Sequence, residues 1–107
     1  REVICSIFEM HGFTVLSAYS GTSAFEVVKK RHVDLIVSDM RMADGDGMML
    51  LEKVREHDAD VPIVIFITGF TDVSTEECLR KGAQSVITKP FDREMLIDTV
   101  KNSLGIS

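Results

Sequence analysis

Three short strand-like runs, each closing on a polar residue, constrain this chain more than any other feature. They are Leu35-Ile36-Val37 before Ser38-Asp39, Val61-Pro62 through Ile67 before Thr68, and Ser85-Val86-Ile87-Thr88 before Lys89-Pro90. All three read as strands, and Leu35-Ile36-Val37 as one buried on both faces, the habit of parallel sheets. The segments between them carry helical spacing. Turn residues Ser20-Gly21-Thr22-Ser23 open a helix to about Arg31, with Ala24, Phe25 and Val28 inward. Leu50, Leu51 and Val54 mark a second helix, and a weakly amphipathic third runs from about Val73 to Lys81, stopped by Gly82. Asp92 caps a last helix with Leu96, Val100 and Leu104 in line. At the start, Val3, Ile4, Ile7 and Phe8 give residues 3–10 a helical stripe, and Thr14-Val15-Leu16 is a short strand after the His11-Gly12 break. The predicted order is α-β-α-β-α-β-α-β-α. That order implies an α/β fold: an open parallel sheet, right-handed crossovers and helices on both faces.

The 107 residues are enough for one domain, and no repeat or linker divides them. The apolar share of 45% and charged share of 27% exclude a disordered chain. The run Ile63–Ile67 is far short of the roughly 20 residues that span a bilayer. A net charge of −5 argues against direct nucleic-acid binding, which calls for a basic patch. Cys5 and Cys78 have no metal-ligand spacing, no signal-peptide pattern is visible in these residues, and reduced thiols in a cytoplasmic protein are expected.

Open α/β sheets gather their chemistry at the carboxyl ends of the strands. Here those ends deliver Asp39, Thr68 and Lys89. Singly, each has a plain reading: a loop cap, a turn residue, a solvated charge. Together they suit phosphoryl chemistry. A carboxylate can form an acyl phosphate, a hydroxyl can donate to a phosphoryl oxygen, and an ammonium can neutralise its charge.

The segment from Asp34 to Gly47, with Asp39-Met40-Arg41-Met42 at its centre, resembles the phosphoacceptor segment of response-regulator receiver domains. Thr68-Gly69 resembles that family's switch threonine and its small follower, and Gly82-Ala83 with Lys89-Pro90-Phe91 its closing signature. The resemblance implies a flavodoxin-like receiver fold over residues 1–107. It implies that Asp39 takes a phosphoryl group from a sensor histidine kinase or phosphotransfer protein. Thr68 would then hydrogen-bond that group and Lys89 pair with it, across a cis Lys89-Pro90 peptide. The resemblance also implies Mg²⁺, held in part by Asp39 and the backbone carbonyl of Arg41. Val86 stands where the family often has an aromatic rotamer switch, and Ala43 where it often has proline.

Two departures shape the remaining expectations. The family's first strand, central in its sheet and ending in two Mg²⁺-binding acids, has no counterpart, since the chain opens in the stretch that would follow it. An N-terminally incomplete domain with weak Mg²⁺ binding is therefore expected. The strands at Thr14–Leu16 and Leu35–Val37 would then either close up directly, exchange an element in a homodimer, or await residues outside this sequence. The expected function is a phosphorelay receiver that assists its own phosphorylation without being an enzyme in its own right. Its output would be a switched protein-binding face, with a fused or separate output domain. The alternative is a receiver-like interaction module that works without phosphate. A haloacid-dehalogenase-type phosphatase is disfavoured, because Arg41 occupies the position of its second aspartate.

Overall fold

The computed structural model describes residues 5–18, 21–42, 45–58, 61–69, 75–88, 90 and 92–105. Its main sheet has five strands: β1 (Cys5–Met10), β2 (Phe13–Ala18), β3 (Leu35–Asp39), β6 (Ile63–Thr68) and β7 (Ser85–Thr88), in spatial order β1-β2-β3-β6-β7. The short strands β4 (Arg41–Met42) and β5 (Gly45–Asp46) pair with each other after β3. The helices are α1 (Gly21–Lys30), α2 (Gly47–His57), α3 (Thr75–Arg80) and α4 (Arg93–Leu104).

The strands β2, β3, β6 and β7 run parallel, as the buried runs require. Alternate residues of each strand face opposite sides, and each side has its own core. Leu16, Ile36, Val64 and Phe66 meet Ala24 and Val28 of α1, Leu50, Leu51 and Val54 of α2, and Cys78 of α3. Val15, Leu35, Val37, Ile65 and Ile87 meet Val100 of α4, with Leu96 and Leu104 packed alongside. Asp92 caps α4 by accepting from the Met95 N–H at 2.7 Å, and Gly105 closes the helix with φ of 78°. Gly82, at φ of 118°, ends the turn after α3, as its position suggested.

The structure overturns one element. Residues 5–10 form a strand antiparallel to β2, where a helix was expected. His11 and Gly12 both have positive φ, 53° and 85°, and join Met10 to Phe13 in a two-residue hairpin. Turns of that kind follow the twist of the flanking strands and favour glycine. The sheet is thus mixed rather than purely parallel. Within this chain β2 and β3 pair directly, Val15 opposite Leu35 through Ala18 opposite Ser38. β1 covers the other side of β2, whose backbone groups would otherwise lie open.

Asp34 holds the starts of these strands together. Its N–H donates to the Thr14 carbonyl at 2.9 Å, and its carbonyl accepts from the Ile63 N–H at 2.9 Å. Its carboxylate accepts from the Thr14 N–H at 2.8 Å and meets His32 Nε2 at 2.8 Å. Arg55 does similar work for α2, donating to the Pro62 carbonyl at 2.8 Å and to the Gly82 carbonyl at 3.3 and 3.2 Å.

Candidate functional site

The carboxyl ends of the parallel strands carry the residues singled out in the sequence. Asp39 is the last residue of β3 and pairs with Ile67; Thr68 is the last of β6 and pairs with Thr88. Neighbouring strands lie about 4.8 Å apart, so Asp39 and Thr68 stand on adjacent strand ends, one step out of register. Lys89 follows Thr88 directly but lies outside the described residues, and with it the expected cis Lys89-Pro90 peptide. The cis peptide bond among the described residues is Val61-Pro62.

The backbone fixes this rim closely. The Met40 N–H donates to the Ile67 carbonyl at 2.9 Å, tying the residue after Asp39 to β6. Ser38, fully buried, donates its hydroxyl to the Asp39 carbonyl at 2.9 Å. Thr68 is also buried, and its hydroxyl donates to the Gly69 carbonyl at 3.0 Å. Asp39 is half-buried beside these groups. Val86 is half-buried, pairs with Phe66 and packs on the core beneath α1 and α2. A valine there has no ring to swing between core and solvent.

Arg41 lies in β4, opposite Asp46. Among the described residues no group of three or more His, Cys, Asp or Glu side chains is placed to hold a metal ion. One carboxylate and one carbonyl fall short of the near-octahedral oxygen set that Mg²⁺ takes. The described residues by themselves therefore do not make a Mg²⁺ centre. No helix among them is long and apolar enough to cross a membrane.

Sequence reasoning did not single out Ser38 or Gly47. Ser38 is the polar residue that ends an otherwise apolar strand, which is a usable signal. Gly47 is the second glycine of Gly45-Asp46-Gly47, and nothing in the sequence distinguishes it from a loop residue.

Comparison with known proteins settles the family. The response regulator receiver domain matches residues 1–101. The chain belongs to this family. It is 41% identical over 107 residues to the C4-dicarboxylate transport transcriptional regulatory protein DctD of Pseudomonas aeruginosa, covering 99% of this chain and 23% of that protein. Among solved structures, the receiver domain of NtrX from Brucella abortus superposes with a TM-score of 0.75 at 26% identity, covering 84% of this chain and 77% of that one. The beryllofluoride-activated receiver domain dimer of NtrC4 gives 0.73 at 31% identity, covering 82% and 73%. This receiver domain spans under a quarter of the length of the curated relatives it matches. The family generally binds Mg²⁺. Receiver domains interact with histidine kinases and often accompany output domains.

Proposed function

We propose that this domain is a phosphorylation switch in which Asp39 is the phosphoacceptor and Thr68 and Lys89 respond to the phosphoryl group. The observation that carries the proposal is the meeting of Asp39 and Thr68 at adjacent strand ends, joined by the Met40–Ile67 hydrogen bond. A carboxylate oxygen of Asp39 attacks the phosphorus of a phosphohistidine on a sensor kinase or phosphotransfer protein. The P–N bond breaks, its electron pair returns to the imidazole nitrogen, and an acyl phosphate remains on Asp39. The new group brings nearly two negative charges to the rim. Thr68 then exchanges the Gly69 carbonyl for a phosphoryl oxygen, and Lys89 pairs with the added charge. Water later attacks the phosphorus, the P–O bond to Asp39 breaks with its electron pair returning to the carboxylate, and inorganic phosphate leaves. The domain so assists its own phosphorylation and dephosphorylation without a separate substrate. The relatives named as transcriptional regulators support a cytoplasmic regulator with an output domain, and the NtrC4 dimer supports pairing of two receivers.

Val86, half-buried against the core and without a ring to swing, favours a second reading, a module that binds its partner without phosphate. One experiment separates the two. The chain is incubated with acetyl phosphate and Mg²⁺ and its intact mass recorded, with Asp39→Ala as control. A gain of one phosphoryl group that vanishes in the control is the expected result. No gain overturns the switch for this chain and leaves the second reading standing.

A further inference from the structure

The loop that follows Asp39 closes on one glycine. Gly47 opens α2, and its N–H donates to the Met40 carbonyl at 2.7 Å. Met40 adjoins Asp39, is buried, and is tied to Ile67 of β6 through its own N–H. A Cβ on Gly47 would lie 2.6 Å from Cε1 and 3.1 Å from Cδ1 of Phe66, and 3.2 Å from Sδ of Met40. Carbon atoms in good contact sit about 3.5–4.0 Å apart, so no side chain fits. The need is for space rather than a left-handed backbone, because the glycines with positive φ are others.

The ring of Phe66 has little freedom to yield. It has no exposed surface, and its strand is held on one side by Ser38 of β3 and on the other by Val86 of β7. An added methyl must therefore displace the start of α2 or the side chain of Met40. Either displacement reaches Asp39, one through the Gly47–Met40 hydrogen bond and the other through the chain itself.

We propose that Gly47 is a positioning residue for the acceptor site. Its bare Cα lets the N-terminus of α2 seat on Phe66, and this seat holds Met40, and so Asp39, against the strand that ends in Thr68. The inference rests on the reading of Asp39 as phosphoacceptor. It adds that the site's geometry is set by how closely α2 approaches β6.

A purely structural glycine would behave differently. Overpacking would lower the folded fraction and leave the reaction rate of each folded molecule unchanged. The test uses Gly47→Ala, Phe66→Leu and the double variant, with folded fraction from circular dichroism. Amide positions come from ¹H–¹⁵N spectra, and labelling rates from acetyl phosphate with Mg²⁺. In Gly47→Ala the amides of Asp39, Met40 and Thr68 are expected to move while that of Val100 in α4 stays. The labelling rate per folded molecule falls on the order of tenfold, as misplaced reacting groups do. Phe66→Leu, which removes the ring from the close contact, restores most of both effects in the double variant. Should Gly47→Ala not fold, Phe66→Leu alone loosens the same seat and is expected to move the Asp39 and Gly47 amides.

An unmoved Asp39 amide in Gly47→Ala (or in Phe66→Leu, should Gly47→Ala not fold), or a wild-type labelling rate per folded Gly47→Ala molecule, overturns the proposal. Failure of the acceptor reading shows separately, as wild-type chain that takes no label or label that survives Asp39→Asn. In that case the Asp39 amide still decides whether Gly47 positions it.

Discussion

Replacing Asp34 probes how β2 and β3 are held side by side. The carboxylate accepts the Thr14 N–H at 2.8 Å in a partly buried setting, while the two backbone bonds of Asp34 reach Thr14 and Ile63. Asp34→Ala removes only the carboxylate and leaves the Thr14 N–H without that acceptor. A hydrogen bond to a charged group contributes about 1.5–3 kcal/mol. The His32 contact adds little, about 0–1 kcal/mol, since the His32 side chain is 70% exposed. The expected loss is therefore about 2 kcal/mol, and about half of that for Asp34→Asn, which keeps a neutral oxygen in place. With a urea slope of about 1–3 kcal/mol/M, the alanine variant's midpoint falls by roughly 1 M.

The same residue predicts a pH dependence. Burial pushes the Asp34 carboxyl up, but hydrogen bonds from Thr14 and His32 and the charge of His32 outweigh it and hold the carboxyl below its ordinary 3.8. A carboxylate with a lowered folded pKa contributes stability fully above its unfolded value and loses it as pH falls through the folded one. The gap between wild type and Asp34→Asn is thus expected to be flat from neutral pH to about 5 and to close below about 4. Urea unfolding across that range measures it. A gap that persists unchanged into strong acid, or an Asp34→Ala variant within about 0.5 kcal/mol of wild type, would refute the reasoning.

Other outcomes follow from single contacts. Arg55→Ala is expected to cost about 1.5–3 kcal/mol in urea unfolding by releasing the Pro62 and Gly82 carbonyls, and Arg55→Lys recovers only part, lacking the planar fork. Asp92→Ala removes the cap of α4 and is expected to cost about 1 kcal/mol, with Asp92→Asn close to wild type. Burial, aided by the charge of Glu77, pushes the Cys78 thiol above its ordinary range. In a Cys5→Ser background, iodoacetamide labelling followed by mass is therefore expected to be slow in buffer and to accelerate through the urea transition.

Much of this domain was legible before any coordinates. The buried runs at Leu35–Val37 and Ile63–Ile67 are strands because little else can bury apolar residues on both faces over so short a span. Asp92, Gly82 and the Leu96-Val100-Leu104 line marked the last two helix boundaries through local hydrogen-bonding and periodicity. The same patterning placed Asp39 and Thr68 at strand ends, and with them the site.

At residues 5–10 helical spacing and turn chemistry point to different structures, and the turn prevails. Ile7 and Phe8 fit a helical stripe, yet the two-residue His11-Gly12 link between apolar segments is a hairpin signal. The stripe is a local property, whereas the hairpin depends on β2 having an edge that needs a partner.

What the sequence alone determined is whatever adjacent residues decide among themselves: strand runs, helix faces, caps, and which polar residues end which strands. The tertiary structure alone decided that β2 pairs with β3, that β1 covers the edge, that Asp34 staples the strand starts and that Gly47 sits against Phe66. Each of these is a contact between segments distant in the chain. Backbone groups and ring atoms find such partners only once the layers are stacked, and no periodicity within either segment encodes the other's position.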